Sequence, residues 1–114
     1  MHELSIAESL LDVALENCRS KGFSQIGSIK LLIGKASGVM PDALLFGFNA
    51  VKEGTIADNA DLEIEEVPVA GHCNDCGKDF TTEESYILSC PHCGGLSYTL
   101  NSGRELMITE MEVF

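Results

Sequence analysis

The sequence has few basic residues and no long apolar run. Seven Lys and Arg residues stand against eighteen Asp and Glu residues among 114, giving a formal net charge of -11. Such a charge repels nucleic-acid phosphates and anionic membrane surfaces. No stretch approaches the roughly 20 apolar residues that cross a bilayer, and no basic-then-apolar secretory signal opens the chain. We therefore expect a cytoplasmic protein that keeps its first residue and binds neither nucleic acid nor membranes.

The sequence also lacks an H-E-x-x-H motif or a comparable catalytic set, which disfavours a metal-dependent hydrolase. Its hydrophobic content of 45% is typical of a globular protein with one principal core. Persistent disulfides are rare in the cytoplasm, so the five cysteines point to metal binding rather than to covalent cross-links.

The apolar pattern predicts an α+β fold: a small sheet of at least three strands with two helices, plus an inserted zinc-ribbon module. Ser5 and Glu8 form a capping-box pattern, which predicts a first helix starting after residue 4 and ending near Lys21. A second helix is predicted with Pro41 in its first turn and with its apolar segment over 43–52. Strands are predicted over 28–33, 62–69 and 106–113. The predicted apolar stripe of the first helix consists of Ile6, Leu10, Val13, Ala14 and Cys18.

The cysteine-rich segment interrupts the predicted strand pattern. If the second strand and the C-terminal strand share a sheet, the two ends of this segment come together and it projects as an insertion. We therefore predict a nickel-binding α/β domain made of residues 1–70 and 104–114, and an inserted four-cysteine domain over residues 71–103.

Two C-x-x-C pairs in the insertion predict a zinc site. The four ligands are Cys73, Cys76, Cys90 and Cys93. Each pair precedes a glycine, Gly77 or Gly94, which allows the tight turn of a zinc knuckle. Four thiolates complete the tetrahedral shell of Zn(II) and leave no open position, so the zinc is expected to be structural. Spacing alone also allows an iron site of rubredoxin type or a redox pair.

Cys18, His72 and His92 lie outside the four-cysteine pattern, and each has an ordinary structural interpretation. Cys18 lies on the apolar stripe of the first helix, and we interpret it as a buried core thiol. His72 and His92 adjoin the cysteine pairs and are expected on the knuckle surface, although either could replace a thiolate if the cysteine set were weakened.

The first three residues, Met1, His2 and Glu3, form a second candidate metal site. A free terminal amine, backbone amide nitrogens and the His2 imidazole can occupy the corners of one square plane, a geometry that suits Ni(II) and Cu(II). From the residues alone, a histidine at position 2 is also consistent with a plain surface residue or with the start of a strand.

The opening Met-His-Glu, the helix after it and the paired C-x-x-C motifs together resemble the HypA/HybF family of hydrogenase nickel-insertion accessory proteins. The resemblance covers essentially the whole chain. It implies a nickel metallochaperone for [NiFe]-hydrogenase, with His2 as the essential nickel ligand. Met1 would supply the terminal amine and Glu3 its backbone nitrogen, while the four cysteines hold zinc.

The resemblance also implies partners: a nickel-associated GTPase, the hydrogenase large-subunit precursor and, as an open option, a second copy of the chain. Asp42, at the start of the second helix, is a further candidate near the nickel site. The alternative function is a zinc-ribbon protein-interaction adaptor with no nickel role. We expect metal transfer rather than enzymatic catalysis.

Overall fold

The computed structural model describes the backbone from His2 to Phe114 and the side chains from Glu3 onward. The elements in chain order are α1 (His2–Ser20), β1 (Ile26–Gly34), α2 (Pro41–Val51), β2 (Asp61–Val67), β3 (Val69–Cys73), β4 (Asp79–Thr82), β5 (Tyr98–Ser102) and β6 (Leu106–Val113). The strands form two three-stranded sheets, ordered β2-β1-β6 and β4-β3-β5. The predicted α+β class, with two helices and at least three strands, is confirmed.

Helix α1 begins at His2, earlier than predicted. The capping-box prediction was wrong, because Ser5 is an exposed residue inside the helix rather than its cap. The predicted end was close. The N–H of Phe23 donates to the Cys18 carbonyl and that of Gly22 to the Arg19 carbonyl, both at 3.0 Å, with Gly22 at φ +83°. These two bonds form a Schellman motif, in which a left-handed glycine ends the helix.

The buried stripe of α1 is rotated slightly from the predicted one. Its members are Ala7, Leu10, Leu11, Ala14 and Cys18. Val13, predicted to be buried, is 53% exposed, so its assignment to the stripe was wrong. The interpretation of Cys18 as a buried core thiol is confirmed, since only 1% of it is exposed.

Helix α2 packs against α1 and places Pro41 in its first turn, as predicted. Leu44 and Phe48 are fully buried, and Gly47 between them faces α1. The apolar residues Ile26, Ile29, Leu31 and Ile33 of β1 are also buried. Burying Phe48 and Leu44 stabilises the fold by about 1.5–3 kcal/mol each.

Strand β1 lies between β2 and β6, so the second predicted strand and the C-terminal one do share a sheet. The second strand is shorter than predicted, however. It ends at Val67, and Val69 begins β3 in the other sheet. Pro68 separates the two, because proline has no N–H to donate to a strand ladder. The prediction of one strand over 62–69 was therefore wrong beyond Val67.

The chain divides into two compact units. One contains the residues up to Leu31 together with Val39–Glu65 and Ile108–Phe114, and the other contains Leu32–Gly38 and Glu66–Met107. In the second unit, β3 pairs antiparallel with both β4 and β5. Folding autonomy of residues 71–103, as an inserted domain, stays a prediction. Across the described part of the chain, no helix is long and apolar enough to span a membrane.

Three hydrogen bonds connect Lys35 and Ala36, which follow β1, to other residues of the second unit. The N–H of Lys35 donates to the Val67 carbonyl at 2.9 Å, and that of Ala36 to the Gly103 carbonyl at 2.6 Å. The ammonium of Lys35 lies 3.0 Å from the Glu83 carboxylate, and this hydrogen bond raises the pKa of Lys35. The backbone of Gly34 consequently runs directly beside Gly103.

We expect Gly34→Ala to destabilise the protein by about 1–3 kcal/mol through overpacking. A Cβ at position 34 would overlap the backbone carbonyl of Gly103, and a carbonyl cannot rotate away as a side chain would. Urea denaturation of the zinc-loaded protein measures the change. Gly47→Ala is the matched control, since its new Cβ would meet its nearest atom at an ordinary 3.5 Å. Equal stability of the two variants would contradict the steric account of Gly34.

Candidate metal centre

The first cysteine pair lies where β3 ends and the chain turns back. The N–H of Gly77 donates to the Cys73 carbonyl at 3.0 Å, and Gly77 adopts φ +77°, where a side chain is strained. The N–H of Cys76 points at the Cys73 sulfur at 3.4 Å. The turn thus aims a backbone donor at a sulfur atom, which favours its thiolate form.

The second pair repeats this turn at Cys90. The N–H of Gly94 donates to the Cys90 carbonyl at 2.8 Å, with Gly94 at φ +75°. The N–H of His92 points at the Cys90 sulfur at 3.4 Å, and that of Gly95 at the Cys93 sulfur at 3.3 Å. The two predicted knuckles therefore share one construction.

The two knuckles bring four sulfur atoms together, all within 4.8 Å of one another. The Cys73 and Cys93 sulfurs are 3.6 Å apart, and those of Cys76 and Cys90 are 3.8 Å apart. A tetrahedral zinc with Zn–S bonds of about 2.3 Å requires sulfurs about 3.8 Å apart. The four thiols present accordingly suit a zinc ion, and zinc in such a closed set is structural.

The cluster shifts the pKa values of its thiols in opposite directions. The N–H of Cys76 is the main cause that lowers the pKa of Cys73 to about 7. At Cys93 the Gly95 N–H favours the thiolate, but the neighbouring Cys73 thiol, burial and the other two cysteines outweigh it and raise the pKa to about 12. Four adjacent thiolates repel one another, so a bound divalent cation is the natural means of ionising all of them.

A small apolar cluster supports the cysteines from one side. Cys73 and Cys90 are buried together with Phe80, and Ile87 and Tyr98 pack on them. The Tyr98 hydroxyl donates to the Ile87 carbonyl at 3.0 Å, and its ring meets Phe80 edge-on with centroids 6.3 Å apart. With so few large side chains, this cluster is too small to fold a domain alone, which makes the metal part of its stability.

The two histidines near the knuckles differ in their surroundings. His72 is half-exposed, and its Nδ1 lies 2.7 Å from the Asp79 carboxylate, to which β3–β4 pairing brings it. His92 is exposed on the second knuckle. Among the described residues, the four cysteine thiols come together without a contribution from His72 or His92. Replacement of a thiolate by histidine stays a prediction.

Sequence reasoning missed the role of Gly95. A Cβ there would overlap the Asp75 carboxylate, so glycine at this position lets the two knuckles lie close together without a shift of the exposed Asp75 side chain. The doubled glycine after Cys93 was the available signal, since one glycine suffices for the turn itself.

Of the predicted nickel residues, His2 and Glu3 fall at the start of α1. Met1 and the side chain of His2 lie outside the described residues, so their arrangement as ligands stays a prediction. Glu3 is in the first turn of α1 and is half-buried. Asp42 is exposed in the first turn of α2. A Cβ built at Gly47 of α2 would lie 3.6 Å from Leu4 Cα and 3.7 Å from the Glu3 carbonyl oxygen. The two helices are therefore close together at the first turn of α1.

The fold and the thiol cluster define a small metal-handling protein with a structural zinc site. Comparison with known proteins identifies its family. The profile described as "Hydrogenase/urease nickel incorporation, metallochaperone, hypA" matches residues 1–113. The chain belongs to this HypA family, and it is a nickel metallochaperone of hydrogenase maturation.

Individual relatives agree with this assignment. The chain is 42% identical over 113 residues to the hydrogenase maturation factor HypA of Rhizobium leguminosarum bv. viciae, covering 99% of each. It is 42% identical over 108 residues to that of Moorella thermoacetica, covering 95% of each.

Two solved structures share the fold. The solution structure of the Ni metallochaperone HypA from Helicobacter pylori matches with a TM-score of 0.69 at 21% identity, covering 97% of this chain and 96% of that one. A solution structure titled HypA protein matches with a TM-score of 0.73 at 23% identity, covering 100% and 97%.

We expect the purified protein to hold about one zinc per chain and to keep it through dialysis, because four thiolates close the coordination shell. Elemental analysis by mass spectrometry measures the ratio. A red, iron-containing protein would show that the cluster selects iron instead, and a folded protein free of any metal would show that the thiols need none.

Proposed function

We propose that this metallochaperone binds one Ni(II) ion at its amino terminus and delivers it to a nickel-free hydrogenase. The ligands are the terminal amine of Met1, the backbone nitrogens of His2 and Glu3, and the His2 imidazole. The observation that carries the proposal is that α1 begins at His2, so His2 and Glu3 belong to the first turn of a helix that packs on α2.

The helical start is compatible with binding through amide nitrogens. In an α-helix each N–H donates to the carbonyl four residues earlier, so the N–H groups of the first turn are not part of that ladder. Nickel can displace amide protons there without breaking the hydrogen bonds that hold α1. A site in the middle of a helix would have to disrupt them.

Electrostatics at the helix start also constrain the ligand set. The N-terminus of a helix carries a partial positive charge of about half a unit, which repels a cation. Ionised amide nitrogens reverse this effect, since each replaces an N–H dipole by a negative ligand atom. The Glu3 carboxylate in the same turn adds a further negative charge. Neutral ligands alone would leave the ion unfavourably placed.

A planar site of this kind suits a carrier. The two directions perpendicular to the plane stay open, so an incoming ligand from a receiving protein can attach before the chaperone's own ligands leave. Release then proceeds by ligand exchange and requires no catalytic residue. The proposed role is transfer of the ion and not an enzymatic reaction.

The four cysteines, Cys73, Cys76, Cys90 and Cys93, are proposed to hold zinc as a structural ion. Their coordination is closed, so the zinc activates no water and binds no substrate. Residues 71–103 are proposed to depend on this ion for folding, whereas residues 1–70 and 104–114 form the nickel-binding domain.

The partners are proposed to be a nickel-associated GTPase of hydrogenase maturation and the hydrogenase large-subunit precursor, in the cytoplasm. The chain's net charge of -11 favours docking on basic protein surfaces. It disfavours nucleic acid, and the described residues of the second unit include acidic side chains beside the knuckles, such as Asp75 and Asp79.

A two-metal titration of the zinc-loaded protein tests the proposal. With a native, untagged N-terminus, we expect one additional Ni(II) per chain, bound with the yellow absorption of planar nickel and without release of zinc. Calorimetry gives the nickel stoichiometry, and a zinc-sensitive dye reports any zinc displaced. If nickel binds only by displacing zinc, the terminal site is wrong. If no nickel binds, the zinc-ribbon adaptor becomes the better interpretation.

A further inference from the structure

Gly47 has no role in the proposed ligand set, yet it faces the proposed nickel terminus from α2. A Cβ built at Gly47 lies 3.5 Å from Ala7 Cβ, 3.6 Å from Leu4 Cα and 3.7 Å from the Glu3 carbonyl oxygen. Two of these three atoms are backbone atoms of the first turn of α1. Residue 47 therefore sets how closely α2 supports the turn that carries His2.

A methyl group fits at this contact, whereas a γ-carbon directed at the first turn of α1 would overlap it. Distances of 3.5–3.7 Å are ordinary van der Waals contacts for a Cβ, so alanine fits without movement. A γ-carbon adds about 1.5 Å in reach, and the Leu4 backbone cannot rotate away from it as a side chain would. Because Gly47 and Ala7 are both buried, the nearest relief is displacement of the first helical turn.

We propose that Gly47 is a positioning residue for nickel, holding the first turn of α1 in the conformation that aligns the amide nitrogens of His2 and Glu3 with the terminal amine. This inference rests on the proposed terminal site. A first turn fastened to α2 presents the amide nitrogens in one fixed geometry, which reduces the conformational freedom lost when nickel binds. A larger side chain at 47 displaces that turn while leaving the ligand atoms themselves unchanged.

Glycine is not required at position 47 for the conformation of α2. The position is helical, and alanine has the higher helix propensity. The size limit therefore comes from the neighbouring turn and not from the backbone of α2. Substitutions at position 47 therefore test side-chain volume, because they do not strain the backbone of α2.

The test is a size series at position 47, namely Gly47→Ala, Gly47→Ser and Gly47→Val, compared with the native chain by nickel calorimetry on zinc-loaded protein. We expect Ala to bind nickel as the native chain does, Ser to bind more weakly and Val to lose roughly 10- to 100-fold in affinity, a usual cost for disturbing the supports of metal ligands. Zinc content should stay constant. Val should also weaken the absorption band of planar nickel at saturation.

Ala14→Val is the matched control. Ala14 is fully buried on α1, about 15 Å from Leu4 along the helix, so overpacking there destabilises the fold without touching the first turn. Equal nickel affinity for all three variants at 47, or equal losses for Val at 14 and at 47, would overturn the inference. If Gly47→Val does not fold, the Ser variant decides by the same criteria.

The outcome for the native chain separates this inference from the proposed function. If the native chain binds no nickel at its terminus, as judged with His2→Ala, then the terminal site itself is wrong and the role of Gly47 falls with it. If the native chain binds nickel through His2 while the size series has no effect, only the positioning role is wrong.

Discussion

Changing His2 to alanine should abolish high-affinity nickel binding and leave the zinc content at about one per chain. The imidazole supplies one corner of the proposed plane, and its loss removes a chelate ring that a water molecule cannot replace. We expect the nickel affinity to fall by at least about 100-fold. Removing a group that only supports a metal ligand already costs about 10- to 100-fold in affinity, and His2 is proposed to be a ligand itself. Nickel calorimetry and elemental analysis on one sample measure both quantities.

Extending the chain by two residues before Met1 should have the same effect, because the extension converts the terminal amine into an amide. His92→Ala is the matched control, since it removes an exposed imidazole from the other unit. Normal nickel binding by the extended chain would show that the amine is not a ligand. Normal binding by the His2 variant would move the site elsewhere, with His72 and His92 as the next candidates.

Changing Cys73 to alanine should release the zinc and unfold the surroundings of the knuckles. Cys73 is fully buried, ends β3 and accepts the Cys76 N–H, so its loss removes a ligand and part of the small apolar cluster together. Structural zinc contributes about 10–16 kcal/mol of apparent binding free energy in small zinc-dependent domains, far more than such a cluster. We expect amide-exchange protection to be lost across residues 71–103 and retained in α1 and α2.

Cys18→Ala is the matched control for this experiment. It also replaces a buried cysteine by alanine, but Cys18 lies on α1, outside the four-thiol set. Zinc should stay bound, and any loss of stability should fall on the unit that contains α1. Equal loss of protection in both parts of the Cys73 variant would show that residues 71–103 do not fold as a separate domain.

The elements predicted from the sequence were correct where a local rule dominates. Gly22 ends α1 and Pro41 starts α2, because backbone conformation at these residues depends on the residue itself. The start of α1 was missed because a capping box is a weak local preference, and it does not stop a helix from beginning earlier in the chain. The end of β2 at Val67, before Pro68, was missed because alternation alone does not show which sheet receives the next residues.

By itself, the sequence determined the chemistry of the thiol cluster. Ligand type and C-x-x-C spacing act through local geometry, because each knuckle is a short turn closed by its own backbone hydrogen bonds. The Met-His-Glu start likewise determined the proposed nickel ligands, because they are adjacent along the chain. Only the tertiary structure decided what lies against them: which face of α1 is buried, that Asp79 pairs with His72, and that Gly47 backs the first helical turn. Such contacts follow from how the elements pair and pack, and no single residue's local preference determines them.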